Sequence, residues 1–284
     1  MSTSLPDATA TRETILSGER SVRETVEASL AQIDELDGAL GAFAVLASGR
    51  ALERATALDR ALASGAEPGP LFGVPLALKS NMCWEGVETN CGSRILAGYR
   101  PPYTATFVRR LLDAGAVPVG MTHMDEFAMG SSGENSAFRT TRNPWDDTRT
   151  AGGSSSGSAA AVAVGLVPIA LGSDTGGSVR LPAALCGVTG FKPTYGRISR
   201  YGLVAFGSSL DQVSPFARSV RDVERLFRVL SGHDPLDSTS LLEPPVEPEK
   251  REDLAGLRIG VPEEYFPPGL PRRLRATLET ALER

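Results

Sequence analysis

Gly152-Gly153-Ser154-Ser155-Ser156-Gly157-Ser158 runs directly into an alanine-rich segment over 158–164, and an apolar run over 167–171 then leads into Ser173-Asp174-Thr175-Gly176-Gly177-Ser178. Alone, a Gly/Ser run reads as a flexible linker. Here each cluster is framed by apolar segments, the second also by Val179-Arg180-Leu181-Pro182, so both read as parts of a packed domain at junctions between elements. Gly176 and Gly177 before Ser178 let successive amides point one way, making a nest for negative charge that develops on a carbonyl oxygen.

Outward from these clusters the pattern alternates between helix and strand, as α/β architecture requires. The small residues over 158–164 suit a helix pressed against a sheet, and 167–171 reads as the strand before the second cluster. Upstream, 74–78 reads as a buried strand that delivers Lys79 at its end, 106–114 as a helix stopped by Gly115, and 116–120 as the next strand. Residues 1–20 are polar and weakly patterned. Ser21-Val22-Arg23-Glu24 is a capping box, opening a helix whose stripe is Val22, Val26, Leu30, Ile33 and Leu36, with Gly38 as its stop. A second helix is expected over 51–64, ending at Gly65.

Downstream, Ser219 caps a helix with Val220, Val223, Phe227 and Leu230 inward and Gly232 as stop. A Pro-rich acidic stretch over 242–253 reads as an exposed connection, 257–261 as a strand, and 271–284 as a helix with Leu274, Leu278 and Leu282 on one side. That helix meets no terminating Gly, Asn or Pro, so the chain is expected to be part of something longer.

With 284 residues, 41% hydrophobic and 22% charged, the chain has the composition of a soluble globular protein with a substantial core. A net charge of -5 without a dense basic block gives no footprint for gripping nucleic acid directly. There is no apolar run of about 18 residues and no signal-peptide pattern at 1–16, so a cytoplasmic location is expected. Cys83, Cys91 and Cys186 form no CxxC pair and read as buried free thiols, with no metal site suggested.

A serine hydroxyl becomes a competent nucleophile when a base takes its proton. His123, in Thr122-His123-Met124-Asp125-Glu126, and His233, in Gly232-His233-Asp234-Pro235, both read as surface or structural residues. Lys79 in Leu76-Ala77-Leu78-Lys79-Ser80 is the better candidate, provided that burial keeps its amine neutral near pH 7. A hydroxyl between the two can carry the proton. The residues thus point to an amide-cleaving enzyme built on serine and lysine.

At these residues the chain resembles the amidase-signature family, from about Ser21 to its last residue. The most specific parts are 81–98, Met124-Asp125-Glu126-Phe127-Ala128-Met129-Gly130-Ser131-Ser132, both serine clusters, Phe191-Lys192-Pro193-Thr194-Tyr195-Gly196-Arg197 and Ser208-Ser209-Leu210-Asp211-Gln212. The resemblance implies an α/β fold with a mixed central sheet covered by helices on both faces, incomplete in this chain. It implies one domain over 1–284: a helical lead-in over 1–65, a catalytic core over 71–232, an exposed connection over 242–256 and the start of a truncated C-terminal portion over 257–284.

By the same resemblance, Ser178 is the acylated nucleophile, Ser154 relays its proton from a cis-peptide position, and Lys79 is the ultimate base. The amides of Thr175, Gly176, Gly177 and Ser178 surround the oxyanion, and Met129 and Gly130 join the substrate-binding set. The implied role is the glutaminase subunit of a tRNA-dependent amidotransferase, a heterotrimer with subunits B and C. Such a subunit needs no cofactor; ATP and Mg belong to a partner, and misacylated tRNA is met through the complex. Consistent with that division, Gly187-Val188-Thr189-Gly190-Phe191-Lys192 lacks the spacing of a phosphate-binding loop. Ser80 departs from the family's usual aspartate and Leu181 from its common glutamine. A free-standing amidase and an inactive fragment with a protein-binding role are the alternative readings.

Overall fold

Pro75–Lys79 and Ile169–Asp174 are apolar through nearly their whole length and completely buried, as strands packed on both faces must be. The computed structural model describes residues 5–244, 253 and 255–283. In chain order the elements are α1 (Ala8–Leu16), α2 (Val22–Leu40), β1 (Phe43–Leu46), α3 (Ser48–Ala63), β2 (Pro75–Lys79), α4 (Thr106–Asp113), β3 (Val117–Thr122), α5 (Ser156–Ala163), β4 (Ile169–Asp174), α6 (Arg180–Cys186), β5 (Thr189–Gly190), β6 (Gln212–Ala217), α7 (Val220–Leu230) and α8 (Arg272–Leu282). The chain divides into two compact units, Met1–Pro245 and Val246–Arg284.

The first unit is built on a mixed sheet with strand order β1-β3-β2-β4-β6-β5. β2 lies parallel between β3 and β4, whereas β1, β6 and β5 join antiparallel. Alternate residues feed two cores. Ala77, Val119, Ala170 and Phe216 pack with residues of α2, α3, α5 and α6; Leu76, Leu78, Ile169, Leu171 and Val213 pack with residues of α4 and α7. This is the mixed sheet with helices on both faces that the resemblance implied, and the sheet is open rather than closed into a barrel.

Several local expectations are corrected. α2 does not stop at Gly38: it continues to Leu40, which is buried, and ends where Gly41 adopts a left-handed conformation with φ 69°. Residues 8–16, weakly patterned in sequence, form α1 because Asp7 caps it and because Asp222 of α7 accepts hydrogen bonds from Ala8 N at 3.0 Å and Thr9 Oγ1 at 2.7 Å. In α7, Ser219 caps as expected, but Val220 points outward at 71% exposure; the helical phase set by Val223 and Leu230 brings in Leu226 instead.

In the second unit, α8 forms over Arg272–Leu282, but 257–261 carries no strand pairing. A strand needs a ladder partner for its amides and carbonyls, and the described residues of that unit contain none. Of the expected connection over 242–256, residues 245–252 and 254 lie outside the described residues. None of the helices is long and apolar enough to cross a membrane among the described residues.

Candidate active site

Because β2 and β4 are parallel neighbours, their C-terminal ends lie together at one edge of the sheet, the edge where open α/β sheets place ligand sites. Lys79 is the last residue of β2, and Asp174, the last of β4, begins the turn that carries Ser178 into α6. The first serine cluster arrives as the turn before α5. Its hydroxyls stitch that turn to β4: Ser158 Oγ donates to the Leu171 carbonyl at 2.8 Å and Ser155 Oγ to the Ser173 carbonyl at 3.3 Å. The Ser155 amide donates to the Ser178 carbonyl at 3.2 Å, tying the two clusters directly.

At this junction Lys79 Nζ lies 2.7 Å from Ser154 Oγ, 2.9 Å from Ser173 Oγ and 3.3 Å from the Ser173 carbonyl oxygen. The peptide bond between Gly153 and Ser154 is cis. Lys79 and Ser154 are fully buried, and burial pulls the amine down from 10.5 to about 7, opposed by the nearby carboxylates of Asp125, Asp174 and Asp211 and by Cys91. A substantial neutral fraction is therefore available near pH 7, as a proton acceptor requires. The lysine identified from sequence thus has the burial that such a role demands.

Ser178 is buried, at 8% exposure. Its hydroxyl makes no hydrogen bond among the described residues, so the proton path from Ser178 to Ser154 is not closed in this structure. Catalytic hydrogen bonds of this kind commonly tighten when substrate is held. Gly177, with φ 123°, occupies backbone space closed to other residues, and a Cβ built on it or on Gly176 would meet no atom within 4 Å. The nest therefore opens onto space.

The amides of the nest are not equivalent. Gly177 N donates to Asp174 Oδ1 at 2.8 Å, while Val179 N and Arg180 N donate to Asp174 Oδ2 at 3.0 and 3.2 Å. Arg180 adds a fork to the same carboxylate, with Nε at 3.1 Å and Nη2 at 2.9 Å. Burial raises the Asp174 pKa, but Arg180 and these amides outweigh it, so the net value lies below the ordinary 3.8. Asp174 thus fixes the turn, and the amides of Thr175, Gly176 and Ser178 are the ones it leaves unclaimed. Asp174→Ala is expected to strand several buried donors, lowering the stability by about 3 kcal/mol or more, together with turnover. Urea unfolding and an activity assay on one preparation check this.

Gly130 sits beside a second buried carboxylate, that of Asp125. Asp125 accepts from Gly133 N at 3.1 Å and Asn135 N at 2.9 Å, and a Cβ at Gly130 would lie 2.5 Å from Asp125 Cγ. Met129 is 54% exposed, and its carbonyl accepts from Asn135 Nδ2 at 3.1 Å. His123 is buried, makes no hydrogen bond to Lys79 among the described residues, and is brought down to about 4 by burial together with Arg139, leaving a neutral imidazole. His233 is exposed in the loop after α7. The thiols of Cys83, Cys91 and Cys186 are buried and free; burial pushes Cys91 and Cys186 up to about 12.

Sequence reasoning passed over Ser173, Asn81, Asp125 and Asp174 as individual participants. Ser173 and Asp174 had one legible signal, their place at the end of a strand parallel to the one carrying Lys79. Asn81, two residues after Lys79, and Asp125 both lay in stretches that carry the resemblance, but with no role attached to either.

The chain thus combines an open mixed sheet with a buried lysine–serine pair at its strand ends. The amidase family model matches residues 24–284. The chain belongs to the amidase family. It is 52% identical over 277 residues, covering 97% of this chain and 57% of the relative, to the A-type subunit of the glutamyl-tRNA(Gln) amidotransferase of Chloroflexus aurantiacus. The solved structure of the corresponding subunit from Thermotoga maritima is 47% identical, with a TM-score of 0.70 over 78% of this chain and 46% of that one. The peptide amidase of Stenotrophomonas maltophilia is 37% identical, with a TM-score of 0.79 over 85% of this chain and 51% of that one. The chain spans a little over half the length of the curated relatives that it matches.

Proposed function

We propose that this chain carries the bond-breaking half of a glutaminase, the A-type subunit of a tRNA-dependent amidotransferase. The observation that carries the reading is the fully buried Lys79 within 2.7 Å of Ser154, beside a glycine nest ending in Ser178. In this reading the neutral Lys79 takes the Ser154 proton while Ser154 takes that of Ser178, and Ser178 Oγ attacks the side-chain amide carbon of glutamine. The amides of Thr175, Gly176 and Ser178 stabilise the oxyanion, each such donor contributing about 3 to 4 kcal/mol to the transition state. Gly177 contributes through its backbone conformation, its own amide being held by Asp174.

Collapse of the tetrahedral intermediate returns the proton along the same path to the departing nitrogen, so ammonia leaves and a glutamyl ester remains on Ser178. Water, deprotonated by the same pair, then releases glutamate. Ammonia passes to a partner subunit that holds ATP and Mg and amidates Glu-tRNA(Gln), or Asp-tRNA(Asn) where that route exists; subunits B and C complete a cytoplasmic heterotrimer. The similarity to the Chloroflexus and Thermotoga subunits supports this reading.

The similarity to a peptide amidase supports a second reading, a free-standing amide hydrolase. The two separate in one assay. Ammonia release from glutamine by the full-length protein is expected to rise when subunits B and C are added; equal rates alone and in complex would favour the free-standing amidase.

A further inference from the structure

A neutral amine has two hydrogens and one lone pair, yet Lys79 Nζ has three oxygen neighbours: Ser154 Oγ at 2.7 Å, Ser173 Oγ at 2.9 Å and the Ser173 carbonyl at 3.3 Å. One of the three must therefore give a hydrogen rather than receive one. The carbonyl can only receive. Ser173 Oγ receives a hydrogen from Asn81 Nδ2 at 3.0 Å and has a second lone pair for one from Lys79, so the hydroxyl oxygen sits between two nitrogen donors. Ser154 Oγ makes no hydrogen bond other than that to Lys79 among the described residues, so its own hydrogen is uncommitted. Asn81 and Ser173 are 2% and 3% exposed, so this order is kept without competition from bulk water.

We infer that Ser173, steadied by Asn81, is a positioning residue: its carbonyl and hydroxyl oxygens hold the two amine hydrogens of Lys79 and so turn the lone pair onto the Ser154 hydroxyl. The inference rests on the proposed role of Lys79 as base and adds what aims it. When Lys79 takes the proton, the third hydrogen lies on the line to Ser154, so the ammonium can return it to the leaving nitrogen without rotating. The charged and titratable groups around the amine are Asp125, Asp174 and Asp211, which act on it through their charge rather than by a hydrogen bond to Nζ, and the thiol of Cys91.

The test compares glutamine turnover against pH in the full-length protein for Ser173→Ala, Ser173→Thr, Asn81→Asp and Lys79→Met. Ser173→Ala is expected to lower kcat by roughly 10-fold or more with KM little changed. Its rate should rise with pH from a lower midpoint, because the ammonium form loses an acceptor. Ser173→Thr keeps the hydroxyl and restores both. Asn81→Asp places a carboxylate one hydrogen bond from the amine's partner and moves the midpoint upward, a shift in the opposite sense that loss of packing would not produce. Wild-type turnover and midpoint in Ser173→Ala overturn the inference. So does faster turnover, the result if the Ser173 hydroxyl were instead occupying the lone pair. If Lys79→Met retains turnover, the base assignment itself fails and this inference falls with it, whereas an inactive Lys79→Met beside a normal Ser173→Ala removes only the positioning role.

Discussion

Ser178→Ala in the full-length protein is expected to lose amide hydrolysis by a factor on the order of 10⁴ to 10⁶, the range seen when the nucleophile of a coupled catalytic set is removed. The loss should fall on kcat, because the nest amides and the turn held by Asp174 remain in place to bind substrate. Stability should scarcely change: the Ser178 hydroxyl holds no hydrogen bond among the described residues, and its removal leaves no buried donor without a partner. Steady-state kinetics and a thermal melt on the same preparation separate these effects. A variant with wild-type turnover would move the nucleophile elsewhere.

Lys79→Met is the second large effect, and it has two signs. Turnover is expected to fall by roughly 10² to 10⁴, the usual contribution of a general base. Stability is expected to rise, because methionine fills the buried stem volume without an amine that must be desolvated. The pH dependence follows from the depressed value of about 7 in the fold against 10.5 for the free side chain. Below pH 7 both folded and unfolded chains hold the proton, and the wild type bears the full cost of a buried ammonium. Between about 7 and 10.5 only the unfolded chain still binds it, so wild-type stability climbs with pH relative to the variant. Urea unfolding from pH 6 to 10 measures the gap; a gap independent of pH would contradict a depressed lysine.

The parts of the fold that were legible in sequence are those with local causes. Ser21 and Ser219 announce helix starts because a cap acts within one turn, and β2 is visible because its run of buried apolar residues ends abruptly in Lys79. The stop of α2 was misplaced because Gly38 tolerates helix as readily as Gly41 leaves it, and only the burial of Leu40 decides between them. β6 was not anticipated: Gln212-Val213-Ser214-Pro215-Phe216-Ala217 mixes polar residues and a proline, and it becomes a strand through its antiparallel ladder with β4.

The same division holds at the candidate site. Lys79 and the two serine clusters stood out by their surroundings in sequence, whereas the separate roles of Ser154 and Ser178 came from the family resemblance; the structure brings Lys79 to Ser154 across 75 residues of chain. The Asp174 clamp on the Gly177 amide could not be read, since it depends on how the turn folds back on its own carboxylate. The pairing of Ser173 with Asn81 could not be read for a related reason: a serine and an asparagine are ordinary until the fold joins them across 92 positions of sequence, with Ser173 beside the Lys79 amine.

Whether Ser178 carries the acyl group is tested most directly by intact-mass and peptide mass spectrometry of the full-length protein after exposure to an electrophilic glutamine analogue. The predicted result is a single covalent addition on the peptide containing Ser178, absent in Ser178→Ala; labelling that persists in that variant, or that maps to another residue, would contradict the assignment.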